Sequence, residues 1–147
     1  MEGIEKVILD SLQALKAEIQ QNIDATGKTA SGKAKREIEI VREGDTYKLI
    51  GVPYFNILEE GRAGGRVPKG FYHIIKQWAV DKGIFAATDR DLSRFAYFTS
   101  RKIANFGTEQ YRTGKRTDIY TDSVNKYVDS LSNKIGIFYQ KSIINRL

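Results

Sequence analysis

The chain has 147 residues, 41% of them apolar and 11% aromatic, which suits one folded domain, 1–147, with a real core rather than a disordered segment. It has no cysteine, which excludes disulfides and thiolate metal sites, and no apolar run nears the roughly 18 residues of a membrane span. Its net charge of +6 is uneven: residues 1–60 carry −3, residues 61–120 carry +7 and residues 121–147 carry +2.

Residues 4–23 read as an amphipathic helix, because Ile4, Ile8, Leu12, Leu15, Ile19 and Ile23 step by three or four. The stretch after Met1 is acidic and amphipathic rather than a signal-peptide pattern, so a soluble protein made in a cytoplasm is expected. Residues 24–35 are small, polar and glycine-bearing and predict a loop. Glu37–Arg42 and Thr46–Val52 alternate as strands, and Glu43-Gly44-Asp45 between them suits a hairpin connection. Pro53 ends the second strand, and Tyr54–Glu60 predicts a helical turn or two.

Gly61–Gly70 is a basic loop with four glycines, Arg62, Arg66, Pro68 and Lys69. The helix after it, Phe71–Lys82, places Phe71, Ile74, Ile75, Trp78 and Ala79 on one stripe and stops at Gly83. Its spacing predicts a buried Trp78, packed between this helix and the sheet. Ile84–Thr88 reads as a connection. Thr88 or Asp89 caps the next helix, whose stripe is Leu92, Phe95, Ala96, Thr99 and Ile103 and whose stop is Gly107. Residues 108–120 are polar and basic with no helical period, and predict an exposed arm or loose hairpin carrying Arg112, Lys115 and Arg116. Ser123–Asn145 reads as a long helix. Together these elements predict an α+β fold, a small antiparallel sheet packed with three to four helices, with long helices at both ends.

Few motifs carry chemistry. Gly27–Ala34 (GKTASGKA) nearly matches a P-loop, but Ala34 lacks the Mg²⁺-binding hydroxyl and a helix, not a strand, precedes it. His73, the only histidine, has no accompanying ligand set. Glu59 and Glu60 read as interface or salt-bridge carboxylates rather than an acid–base pair. Arg62 and Arg66 suit a phosphate or a neighbouring subunit's carboxylate equally. No cofactor, metal site or catalytic set is expected, and the chain reads as a non-enzyme. Glu59, Glu60, Arg62, Arg66 and Lys69 are the expected subunit contact. The charge asymmetry admits nucleic-acid binding through residues 61–120, head-to-tail contact between copies, or a merely solvated basic surface.

The order of features resembles the small neck or tail-completion proteins of tailed bacteriophages, the head-tail joining and minor tail group. The likeness rests on the loop Ala25-Thr26-Gly27-Lys28-Thr29-Ala30, the hairpin, and the aromatic–Leu–Glu–x–Gly–Arg segment from Tyr54 to Arg62. It continues through Gly64-Gly65-Arg66-Val67-Pro68, the run from Ile75 to Ile84 around Trp78 and Lys82-Gly83, and Arg101-Lys102-Ile103 followed by Gly107-Thr108. It covers roughly residues 20–112 and leaves the C-terminal helix unmatched. It implies a non-enzymatic virion protein of the head–tail junction or tail, found in the host cytoplasm during assembly. Such a protein forms a homo-oligomeric ring beside portal-adaptor, head-closure or tail-tube proteins, near packaged DNA and without a membrane. The alternative from a different class is a nucleic-acid-binding protein using the basic 61–120 region.

Overall fold

The computed structural model describes residues 2–84 and 88–146; most of the connection expected at Ile84–Thr88 lies outside the described residues. In chain order the elements are α1 (Glu2–Ala25), α2 (Lys33–Arg36), β1 (Glu39–Glu43), β2 (Thr46–Ile50), α3 (Phe55–Glu60), α4 (Phe71–Asp81), α5 (Asp89–Phe106), α6 (Glu109–Thr113) and α7 (Thr121–Ile144). The fold is α+β, with a two-stranded antiparallel sheet and long helices at both ends. Contacts divide the chain into two compact units. The first is Met1–Thr26, Glu37–Val52 and Asp118–Leu147; the second is Gly27–Arg36 and Pro53–Thr117.

In the first unit α1 lies antiparallel against α7. At one end the Asn22 amide donates to the Ile119 carbonyl at 2.9 Å and to Ser123 Oγ at 3.0 Å. At the other, Gly3 gives space to the Phe138 ring, which a Cβ at Gly3 would meet at 2.8 Å. Leu12, Leu15, Ile19 and Ile23 of α1 are buried, as their spacing predicts, with Ile38, Val52 and Ile119. Burying each such side chain stabilises by about 1.5–3 kcal/mol. The hairpin pairs Glu39 with Ile50 and Glu43 with Thr46. Gly44 opens its two-residue turn at φ 59°, a backbone that favours glycine. Arg42 ties the hairpin to α1 through Glu5 Oε1 at 3.0 Å.

In the second unit α4 packs on α5. The buried positions are Ile75 and Ala79 on one helix and Ala96 and Ser100 on the other, and the small Ala79, Ala96 and Ser100 let the axes come close. Lys76 also bridges to Asp89 at 3.2 Å. The ends of both helices follow sequence signals. The Gly83 amide donates to the Val80 carbonyl and that of Ile84 to Ala79, a Schellman closure around positive-φ Gly83. Thr88 Oγ1 accepts from the Asp91 amide at 3.2 Å, as an N-cap should.

Trp78 corrects the expectation from its spacing: it is 39% exposed, and Ile74, one turn before it, is 51% exposed. The seam of small residues covers only the Ile75–Ala79 edge of the stripe, and the hairpin belongs to the other unit. Within residues 108–120, expected to lack helix, α6 forms: Thr108 Oγ1 caps the Tyr111 amide and Gly114 closes the turn in the left-handed region.

Candidate functional site

The glycine-rich loop is built onto the junction of α5 and α6. The Arg62 amide donates to Thr108 Oγ1 at 3.0 Å, and the Thr108 amide returns a bond to the Arg62 carbonyl at 2.9 Å. The Gly65 amide donates to the Ala104 carbonyl, the end of α5, at 2.7 Å. Backbone meets backbone here. A Cβ at Gly107 (φ 82°) would lie 2.5 Å from the Arg62 carbonyl oxygen, and one at Gly61 (φ 82°) would lie 2.8 Å from the Tyr111 amide nitrogen. At Gly61 and Gly64 the close approach is used inside the chain, while a Cβ at Gly65 or Gly70 would meet nothing within 4 Å.

Glu59 is the innermost group of this region. It is 0% exposed, so the expectation of a subunit contact is corrected at this residue: its carboxylate faces an internal partner. Arg116 Nε donates to Glu59 Oε1 at 2.8 Å, and Arg116 Nη2 lies 2.5 Å from the same oxygen. Around this pair the carbonyls at the end of α3, which have no partner within the helix, find donors. The Thr117 amide donates to the Glu59 carbonyl at 2.9 Å and Thr117 Oγ1 to that of Leu58 at 3.0 Å. Gln110 Nε2 also donates to the Glu59 carbonyl. Segment 108–117 is thus pinned at Thr108, Gln110, Arg116 and Thr117, while Arg112 and Lys115 project from it, exposed.

The remaining predicted contact residues separate. Glu60, Arg66 and Lys69 are exposed, so Glu59 and Glu60 face opposite environments despite being neighbours. Arg62 is half-buried: its Nη2 donates to the Arg66 carbonyl at 2.8 Å and its guanidinium lies 5.5 Å from the centre of the Phe71 ring. Its buried Nε finds no acceptor, so Arg62 shapes the loop and only Arg66 and Lys69 present free charged ends from it.

A second cationic pair had no signal in the sequence. Lys82, just after α4, donates from Nζ to the Gly27 carbonyl. Lys28, the next residue, donates from Nζ to Gln110 Oε1 at 2.6 Å. Burial, and then the nearby Lys82 charge, hold the Lys28 ammonium's pKa below its ordinary value. The near-P-loop segment therefore sends its first lysine toward α6, and its last two residues, Lys33 and Ala34, open α2, a single helical turn. His73 is exposed and packs edge-on against Tyr72 at 5.0 Å.

Charge divides along the two units. The first has 8 Lys/Arg and 12 Asp/Glu, a net −4; the second has 16 Lys/Arg and 6 Asp/Glu, a net +10. No family model, no curated protein and no solved structure matches this chain. Among the described residues no helix is long and apolar enough to cross a membrane.

Proposed function

We propose that this chain is a non-enzymatic structural subunit of a tailed bacteriophage, part of the head–tail connector, neck or tail-completion ring. The observation that carries the assembly reading is the division of charge: −4 on one compact unit and +10 on the other. A subunit with two unlike surfaces of opposite sign is suited to heterologous, head-to-tail contact, the kind that closes into rings. Exposed apolar side chains on both units support the same reading. Ile74, Trp78 and Phe98 stand out on the second, and Ile137, Ile143 and Ile144 on the end of α7. The phage assignment rests on the resemblance in the order of sequence features. It carries with it a virion location and neighbours of the portal-adaptor, head-closure or tail-tube kind.

A second reading is favoured by one number. A net +10 on a unit of 75 residues suits a polyphosphate partner, so nucleic-acid binding by the second unit is the alternative. The double variant Arg66→Glu/Lys69→Glu separates the two. It reverses two exposed charges without touching the internal Glu59–Arg116 pair. We expect a folded chain by circular dichroism that fails to form the oligomer on sizing. An oligomer as abundant as wild type, together with lost binding to duplex DNA, would transfer the loop to the nucleic-acid reading.

A further inference from the structure

Three segments of the second unit meet at the Lys28–Lys82 pair: the turn at Gly27, the end of α4, and α6. Both ammonium groups donate to neutral oxygens, the Gln110 amide and the Gly27 carbonyl, and among the described residues neither bonds a carboxylate. Gln110 holds its position through its other end, since Nε2 donates to the Glu59 carbonyl and to Thr117 Oγ1 at 3.2 Å. Its oxygen is thereby fixed toward Lys28. Like charges brought together where water is partly excluded repel, and an anion placed between them relieves both costs. The fold thus sets two cations at neighbouring points, each bonded to an uncharged oxygen and, among the described residues, neither to a carboxylate. The molecule carries a matching counter-charge in its first unit, whose net charge is −4.

We propose that Lys28 and Lys82 form a carboxylate-binding site that receives an Asp or Glu of the first unit of a second copy of this chain. The proposal rests on the assembly reading above and names the residues of one side of its contact. Its chemistry is an N–H···O bond in which both ammonium and carboxylate are ionised, whereas the lysines' bonds within the chain meet uncharged oxygens.

The test is zero-length carbodiimide coupling of amines to carboxylates in an equimolar mixture of ¹⁴N- and ¹⁵N-labelled protein, read by mass spectrometry after proteolysis. The expected products are mixed-isotope peptides joining Lys28 or Lys82 to an Asp or Glu within 1–26, 37–52 or 118–147. In parallel, Lys28→Gln/Lys82→Gln, checked for folding by circular dichroism, is expected to weaken self-association at least tenfold. If sizing shows the oligomer but these lysines couple only within one copy, the proposal falls and the assembly reading stands. If no oligomer forms at any concentration, both fall. If duplex DNA, rather than a second copy, shields the two lysines from amine acetylation, the pair serves phosphates and the proposal falls.

Discussion

Arg116→Ala tests the lock beneath the loop. The Glu59 side chain is 0% exposed and that of Arg116 is 47% exposed, so the variant removes a guanidinium that bonds a fully buried carboxylate. Taking one partner from a buried ion pair destabilises by about 3–5 kcal/mol, because the remaining charge stays desolvated. Half of the Arg116 side chain faces water, which screens its field, so a loss below that range is expected: about 2–3 kcal/mol. Urea unfolding followed by circular dichroism reads this as a lower midpoint at unchanged slope. Arg112→Ala is the control. Arg112 is exposed on the same segment and bonds no carboxylate among the described residues, so its loss should stay within about 0.5 kcal/mol. Glu59→Gln, alone and combined with Arg116→Ala, completes a double-mutant cycle, with an expected coupling of about 1–2 kcal/mol. If Arg116→Ala costs no more than Arg112→Ala, or if the coupling falls below about 0.5 kcal/mol, the scale of an exposed pair, the lock is not what holds segment 108–117 in place.

Gly107→Ala should destabilise by about 1–3 kcal/mol, because a Cβ there meets the Arg62 carbonyl oxygen at 2.5 Å and the residue sits at φ 82°; a loss below about 0.5 kcal/mol in the same assay would contradict the close approach. Trp78→Ala should cost less than the about 3–5 kcal/mol of a core tryptophan and should weaken self-association more than folding, since the side chain is 39% exposed; an unfolding loss in the core range would restore it to the interior. Lys28 has a folded-state pKa below its ordinary 10.5, so between those two values the unfolded chain binds the extra proton and stability rises with pH. The cost of its charge is fully present below the folded-state pKa and fades as pH climbs from there toward 10.5, so any stability that Lys28→Gln gains over wild type should shrink across that window. A difference independent of pH in urea titrations would refute the burial of Lys28.

What could be read from the sequence was local. The α1 stripe, the Gly44 turn, the Thr88 cap and the Gly83 stop each depend on residues within a turn or two, and their side-chain and backbone chemistry names them. The candidate site depends on pairings that no local pattern marks. Arg116 finds Glu59 across 57 positions, and Lys28 finds Gln110 across 82. The two adjacent glutamates look alike in sequence, yet the end of α3 turns one inward and leaves the other in solvent. Gly61 reads as a loop glycine and Gly107 as a helix stop, but neither signal marks them as two sides of one backbone contact. Trp78 shows the limit of periodicity: the stripe gives the apolar face of α4, while the small residues at Ala79, Ala96 and Ser100 decide which edge of that face is covered.

In the proposed assembly the acidic and basic units of successive copies join head to tail. Sedimentation of the wild-type chain without nucleic acid, across protein concentration and from low to high salt, tests it most directly. A discrete closed oligomer should form from this chain alone and loosen as salt screens the contact between opposite charges. A chain that stays monomeric throughout, and gains mass only by binding duplex DNA with a steep salt dependence, would contradict it.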